Sequence, residues 1–168
     1  ESFSNLMLTL SDNPLLGFGV GTILTVVVQS SSATIAILQN FYMNDLVDLS
    51  AALPILLGDN VGTTITAVLA SLVGTIAAKR AAAVHVVFNL IGATIFMIIL
   101  PFFTMYVGYL ETALDLNGRM TIAFAHGSYN VANTLIHLPL IGLLAWIVTK
   151  IVPGKDFSED YKPVHLDE

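Results

Sequence analysis

Two polar clusters interrupt apolar stretches of this chain, and their side chains are of kinds that bind ions. The first cluster lies in an apolar run from 15 to 38 and consists of Gln29, Ser30, Ser31 and Ser32, followed by Thr34. Lipid offers no hydrogen bonds, so burying each of these groups unpaired would cost roughly 1–3 kcal/mol. Polar side chains persist at membrane depth where water, an ion or a substrate contacts them. Transport is therefore the leading hypothesis.

The second cluster follows a similar apolar stretch and reads Gly58-Asp59-Asn60-Val61-Gly62, continuing into Thr63 and Thr64. Because Gly and Asn tolerate positive φ, the pattern predicts unwound backbone over 58–62, with a helix restarting at Thr63. A carboxylate at such a break is a candidate ion ligand, and an equally good alternative is a cap for the restarting helix. Asn60, Thr63 and Thr64 are candidate ligands by their position.

Composition indicates an integral membrane protein. Of 168 residues, 55% are hydrophobic and only 11% are charged, whereas soluble domains contain about 25% charged residues. The formal net charge of −6 argues against binding nucleic acid, which needs basic surfaces. Without cysteine, the sequence cannot form disulfides. Its first residue, Glu1, suggests a cut or processed end.

Four apolar blocks, at 14–38, 49–76, 81–109 and 120–152, are long enough to cross a hydrocarbon core of ~30 Å as helices. The first can span once, or fold as two half-helices that meet at 29–32, with Asn13 as its cap. Pro101 should kink or end the third helix, and Pro139 lies inside the fourth block. The prediction is an all-α membrane protein of transmembrane helices plus re-entrant or discontinuous helix hairpins.

The basic residues predict an orientation. Lys79 and Arg80 precede the third block, and three lysines, Lys150, Lys155 and Lys162, follow the fourth. Two spans separate these groups, so both should lie on one side, which the positive-inside rule assigns to the cytoplasm. We expect a multi-pass protein of the cell membrane, with residues 1–152 as the membrane unit and 153–168 as a cytoplasmic tail or linker.

A short pattern, H-x-x-aromatic-N, occurs twice, at His85 to Asn89 and at His126 to Asn130. Amides within long spans need partners, so both asparagines should face the bundle interior, either bracing a broken segment or binding a ligand. The two histidines are more readily helix-bracing donors than proton carriers. His137 and His165 look incidental.

These motifs resemble the type II sodium/phosphate cotransporter family, most of all its bacterial branch. The resemblance rests on QSSSAT (29–34), GDNVGTT (58–64) and AKRA (78–81) leading into HVVFN (85–89), and it covers about 17–168. Members of that family have two inverted repeats, each with one QSSS and one G-x-N-[IV]-G-T-T segment. This chain has one of each and is most similar to the second repeat, so it resembles one half of an inverted-repeat transporter.

The resemblance implies sodium-coupled phosphate transport without a cofactor, with Na⁺ as coupling ion and no other metal. It implies phosphate contacts at Gln29, Ser30, Ser31 and Ser32. It implies Na⁺ contacts at Gln29, Ser31, Thr34, Asn60, Thr63, Thr64 and Asn89. The partners expected are inorganic phosphate, Na⁺, the lipid bilayer, and either an antiparallel second copy or a missing first repeat. A PhoU-like cytoplasmic domain would follow the closing segment 163–168.

The residues themselves leave alternatives open. Serine hydroxyls and helix N-termini suit a tetrahedral oxyanion in general, sulfate as well as phosphate. An intramembrane hydrolase would use Ser31 with His85 or His126, although the chain has no G-x-S-x-G motif. An ion channel and a non-transporting anchor for a phosphate-regulatory domain are further alternatives. The expectation is a transporter rather than an enzyme.

Overall fold

The computed structural model describes residues 2–155, and within that range the regular secondary structure is entirely helical. A short 3₁₀ turn, Leu138–Leu140, joins the last two helices. The α-helices are α1 Ser2–Asp12, α2 Pro14–Val28, α3 Ser31–Met43, α4 Leu49–Gly62, α5 Ile65–Ser71, α6 Ile76–Ile98, α7 Leu100–Ala113, α8 Gly118–His137 and α9 Ile141–Ile151. The predictions for Lys162, His165 and the junction at 163–168 lie outside the described residues.

Three helical stretches are long and apolar enough to cross a membrane: Leu49–Ser71, Ile76–Ile98 and Gly118–Ile151. A further pair, α1 with α2, is bent by 112° and forms either a broken span or a re-entrant loop. The prediction of an all-α membrane protein is thus confirmed.

The first apolar block folds as two helices, one of the two arrangements that its sequence allowed. Asn13 caps α2 by accepting a hydrogen bond from the amide of Leu16, and Pro14 occupies the first turn. The helix ends because Gln29 adopts the left-handed conformation, with φ 55° and ψ 27°. Ser30 is extended and its hydroxyl caps α3 by accepting from the amide of Ala33. The break therefore falls at Gln29 and Ser30.

The unwound backbone predicted over 58–62 is wrong, because α4 stays helical through Gly62. Thr63 and Thr64 also have right-handed helical dihedrals, so α4 and α5 continue as one span with a slight irregularity. The glycines serve packing instead of positive φ. A Cβ on Gly58 would collide with the carbonyl oxygen of Phe18, and one on Gly62 would lie 2.6 Å from that of Thr22.

Close packing of α2 against α4 forms the centre of the fold. Gly21 lies so near the backbone of Ile55 that no Cβ fits between them, and a Cβ at Gly17 would lie 3.2 Å from Pro54. Every residue from Ala51 to Asn60 is buried. Glycines allow helix backbones in membranes to approach closely, and van der Waals contact then stabilises the pair. This crossing brings Thr25 of α2 into contact with Asp59 of α4.

The helix break predicted at Pro101 is confirmed, whereas Pro54 lies inside α4. The helix before Pro101 stops at Ile98, and Pro139 lies in the 3₁₀ turn between α8 and α9. The start of α6 meets the end of α9: Arg80 donates from Nε to the carbonyl oxygen of Val152 at 3.0 Å and from Nη2 to that of Gly154 at 2.9 Å. The two basic segments therefore lie at the same end of the bundle.

Candidate functional site

The QSSS segment forms the junction between α2 and α3. Gln29 and Ser32 are exposed, while Ser30 and Ser31 are half-buried. Because α3 begins at Ser31, the backbone amides of Ser31 and Ser32 have no acceptor within the helix. A helix start of this kind presents N–H groups and partial positive charge to an anion. The serine hydroxyls add donors at the same place.

Next to this junction is a buried cluster of three polar side chains, Thr25, Thr34 and Asp59, which we call the Thr-Asp cluster. The Thr25 hydroxyl donates to Oδ1 of Asp59 at 2.7 Å, and the Thr25 and Thr34 hydroxyl oxygens are 3.1 Å apart. All three side chains are at most 1% exposed. The cluster therefore joins α2, α3 and α4 within the core.

Asp59 is underpaired for a buried carboxylate. Its second oxygen, Oδ2, has no hydrogen-bond partner, and the residue is 0% exposed. Among residues 2–155, no basic side chain forms an ion pair with it, and Thr25 is its one side-chain donor. A buried carboxylate needs charge compensation, and carboxylate and hydroxyl oxygens are the hard ligands that cations such as Na⁺ prefer. The chemistry of the cluster thus fits a small cation.

The remaining polar groups of the second cluster donate to their own helix. The Asn60 amide donates to the Leu56 carbonyl at 3.0 Å. The Thr63 hydroxyl donates to the Asp59 carbonyl at 2.8 Å, and the Thr64 hydroxyl to the Val61 carbonyl at 2.8 Å. Each of these side chains uses a proton on a carbonyl of its own helix. The side-chain oxygens of Asn60, Thr63 and Thr64 therefore keep lone pairs that can bind another ligand.

Asn89 is buried on α6, and its amide donates to the His85 carbonyl at 2.9 Å. Asn130 makes the same bond to the His126 carbonyl, also at 2.9 Å. The repeated H-x-x-aromatic-N pattern thus corresponds to one local geometry, an asparagine that donates to the carbonyl four residues earlier. The hydrogen bond from Asn89 to His85 does not join Asn89 to the Thr-Asp cluster or to the QSSS segment.

Thr25 is the residue of this site that the sequence reasoning missed. It lies in the run Thr-Val-Val-Val (25–28), where a single threonine is easily attributed to helix packing. Its spacing was the available signal, because Thr25 precedes Gln29 by four residues and so belongs to the last turn before the break. Position in that turn is what brings its hydroxyl to Asp59.

A second set of buried polar atoms lies on one face of α8. Tyr129, Asn133 and His137 follow one another at intervals of four residues, and each is at most 3% exposed. The Tyr129 hydroxyl, Oδ1 of Asn133 and Nε2 of His137 lack partners, while Nδ1 of His137 is 2.9 Å from the Asn133 carbonyl oxygen. Asn133 packs against Gly92 of α6. A side chain at position 92 would collide with the Asn133 amide.

A helix broken at a cluster of donors, near a buried carboxylate inside an all-α membrane bundle, is typical of membrane transport proteins. The chain belongs to the Na⁺/Pi-cotransporter family, whose family model matches residues 1–125. The name of this family describes its members as sodium–phosphate cotransporters.

Two relatives give the breadth of the similarity. "Uncharacterized protein YqeW" of Bacillus subtilis is 34% identical over 136 residues, which are 81% of this chain and 43% of that protein. "Sodium-dependent phosphate transport protein 2B" of Homo sapiens is 40% identical over 58 residues, 34% of this chain and 8% of that protein. The chain thus spans less than half the length of these relatives. No solved structure matches it.

Proposed function

We propose that this chain is one half of a sodium-coupled phosphate transporter that works by alternating access. The observation that carries the proposal is the buried, underpaired carboxylate of Asp59, which accepts a hydrogen bond from Thr25 in the last turn before the QSSS break. Family membership supports sodium and phosphate as the transported species. Sodium-dependent phosphate transport is what the name of the human relative states for that protein.

In this proposal, Na⁺ binds at the Thr-Asp cluster. Oδ2 of Asp59 and the oxygens of Thr25 and Thr34 are the nearest hard ligands, and the oxygens of Asn60, Thr63 and Thr64 complete the set as the site closes. Gln29, Ser31 and Asn89 are further ligands that we carry over from the motif. The cation neutralises the carboxylate and lowers the electrostatic cost of bringing an anion close to it.

Phosphate binds at the start of α3. The amides of Ser31 and Ser32 and the hydroxyls of Ser30, Ser31 and Ser32 donate to its oxygens, and Gln29 reaches it from the end of α2. Two of these side chains, Gln29 and Ser32, are exposed in the single chain. A second QSSS segment facing them would enclose the anion. That segment would come from an antiparallel second copy or from a first repeat of a longer protein.

The proposed setting is the cell membrane, with several crossings and the tail from 153 onward in the cytoplasm, where a PhoU-like domain would follow. Residues 1–152 would form one transmembrane repeat. Alternating access would then consist of rocking the two repeats against each other around the bound ions.

The test is Na⁺-dependent binding and uptake of radiolabelled phosphate by purified protein reconstituted in vesicles, compared among single variants. We expect Asp59→Asn to lower the apparent Na⁺ affinity by about tenfold or more, because it removes the charge opposite the cation. Ser31→Ala and Asn60→Ala should lower phosphate binding. Asp115→Asn, a change of an exposed carboxylate far along the chain, is the matched control.

A second readout separates binding from transport. If the single half cannot transport alone, Na⁺ should still raise the thermal midpoint of the wild type by mass action and not that of Asp59→Asn. Equal Na⁺ responses in both would refute the cation site. Flux that does not saturate with phosphate would favour a channel, and the absence of any anion binding would favour a non-transporting anchor.

A further inference from the structure

We propose that the end of the bundle where α6 begins and α9 ends is a binding surface for anionic phospholipid headgroups. The surface comprises Lys79, Lys150 and Lys155, held around Arg80, and we call it the basic surface. It is separate from the proposed transport site, and nothing in the proposed function depends on it.

Arg80 fixes the geometry of the basic surface. Its guanidinium donates to the carbonyls of Val152 and Gly154, at 3.0 and 2.9 Å, and so ties the end of α9 to the first turns of α6. Lys79 is the neighbour of Arg80, Lys150 lies in the last turn of α9, and Lys155 follows Gly154. All three lysines are exposed, and none has an ion-pair partner among residues 2–155.

Charge is segregated along the bundle. Four of the five basic residues in the described range are at this end, the exception being Arg119. The opposite end carries carboxylates, three of which, Asp45, Asp48 and Glu111, line a cavity of about 500 Å³. By the charges of residues 2–155, the basic end would attract a negatively charged membrane surface.

Exposed apolar groups close to the lysines in sequence suit the basic surface to a bilayer interface. Trp146 is 60% exposed one turn before Lys150, where an indole anchors a helix at headgroup level. In the connection between α5 and α6, Leu72 and Val73 are 64% and 96% exposed. Lysine amines next to exposed apolar and indole groups match a phosphodiester headgroup above its acyl chains, whereas a free phosphate ion would use the amines alone.

Trp146 is the only tryptophan in the sequence and reports on the lipids around it. We would reconstitute the full chain in vesicles containing brominated phosphatidylglycerol or brominated phosphatidylcholine, since bromine quenches a neighbouring indole. The expected result is stronger quenching by the anionic lipid, corresponding to a local enrichment of roughly fivefold. The preference should weaken as salt is raised.

The triple variant Lys79→Gln, Lys150→Gln, Lys155→Gln should bring the two lipids to nearly equal quenching, whereas Arg119→Gln, the matched control, should keep the preference. Arg80→Gln should lower the preference as well, because Arg80 positions the lysines. A merely structural role of Arg80 would change quenching by both lipids alike and leave their ratio unchanged. Circular dichroism checks that each variant keeps its helix content.

Equal quenching by the two lipids in the wild type, or an undiminished preference in the triple variant, would overturn the proposal. A competition experiment with inorganic phosphate distinguishes a lipid site from a site for the free ion. If it abolished the preference while chloride at the same ionic strength did not, the basic surface would be a site for free phosphate and the lipid assignment would be wrong.

Discussion

The two polar segments of this protein, at 29–32 and at 58–64, accommodate similar residues in opposite ways. At Gln29 the backbone turns left-handed, α2 ends and a new helix begins at Ser31. At Thr63 the backbone stays right-handed, and α4 runs on into α5 as one span. The first segment gains free amides by breaking the helix. The second keeps its helix and brings a carboxylate to the break from the neighbouring helix.

The contrast teaches that a glycine within a membrane helix need not mark unwound backbone. The glycines of the second segment remove side chains where α4 meets α2, so their value lies in packing and not in backbone freedom. In the first segment the residue with positive φ is a glutamine. Two loop residues, Asp45 and Asp115, also have positive φ, so this conformation by itself ends helices and does not mark the site.

The largest expected effect is on the packing of the second segment. Gly58→Ala should lower the free energy of unfolding by about 3 kcal/mol, because the new methyl group would strike the Phe18 carbonyl and force α2 and α4 apart. Gly19→Ala, on the face of α2 with nothing within 4 Å, should be neutral or stabilising. The measurement is the thermal midpoint of the detergent-solubilised protein. A tolerated Gly58→Ala would mean that 58–62 is not a packing segment.

A smaller effect sharpens the comparison of the two backbones. We would compare a Gly variant with an Ala variant at one position of each polar segment. At position 29 the Gly variant should be more stable than the Ala variant by about 1 kcal/mol, because only glycine accepts positive φ without strain. At position 63 the order should reverse by about 1 kcal/mol, since the backbone there is helical. The same order at both positions would contradict the contrast.

The smallest expected effect concerns how the helices start. Thr64 makes no capping bond to α5, whereas Asp48 caps α4 by accepting from the Ala51 amide at 2.9 Å and from the Ser50 hydroxyl at 2.8 Å. Burial alone would raise the pKa of Asp48, but these bonds and one from Ser11 outweigh it and hold that pKa below its usual value. Asp48 therefore stabilises the fold above its unfolded pKa of about 4, and this is lost as pH falls through the lower folded pKa.

Asp48→Ala should cost up to about 1 kcal/mol at neutral pH, and the difference from the wild type should shrink on acidification. Thr64→Ala should show no comparable pH dependence. Thermal midpoints between about pH 7 and about pH 3 test this. A difference that stays constant over that range would show that the carboxylate charge is not what caps α4.

Features of the fold that depend on neighbouring residues could be predicted from the sequence, whereas features that depend on contacts between distant helices could not. The cap at Asn13 and the helix end before Pro101 depend on neighbouring residues, so the local sequence predicts them. The break at Gln29 and Ser30 was one of two arrangements that the sequence allowed. The roles of Gly58 and Gly62 depend on a helix some forty residues away in the chain. No local pattern distinguishes a glycine that turns the chain from one that admits a neighbour.

The candidate site divides in the same way. The polar segments themselves were evident from their composition, as side chains that an apolar run would not otherwise contain. The contact of Thr25 with Asp59 was not, because it depends on how α2 crosses α4. The roles assigned to Gln29, Ser31 and Asn89 in binding ions stay predictions, which the phosphate and Na⁺ measurements test.

The close approach of Gly21 and Ile55 limits how this protein can move. Two helices whose main chains touch have no flexible side chains between them that would let one slide past the other. We therefore expect α2 and α4 to move as one rigid unit in the proposed transport cycle. Thr25 and Asp59 would then keep their spacing throughout. Opening of the proposed transport site would then require movement elsewhere, at the junction where α3 begins at Ser31.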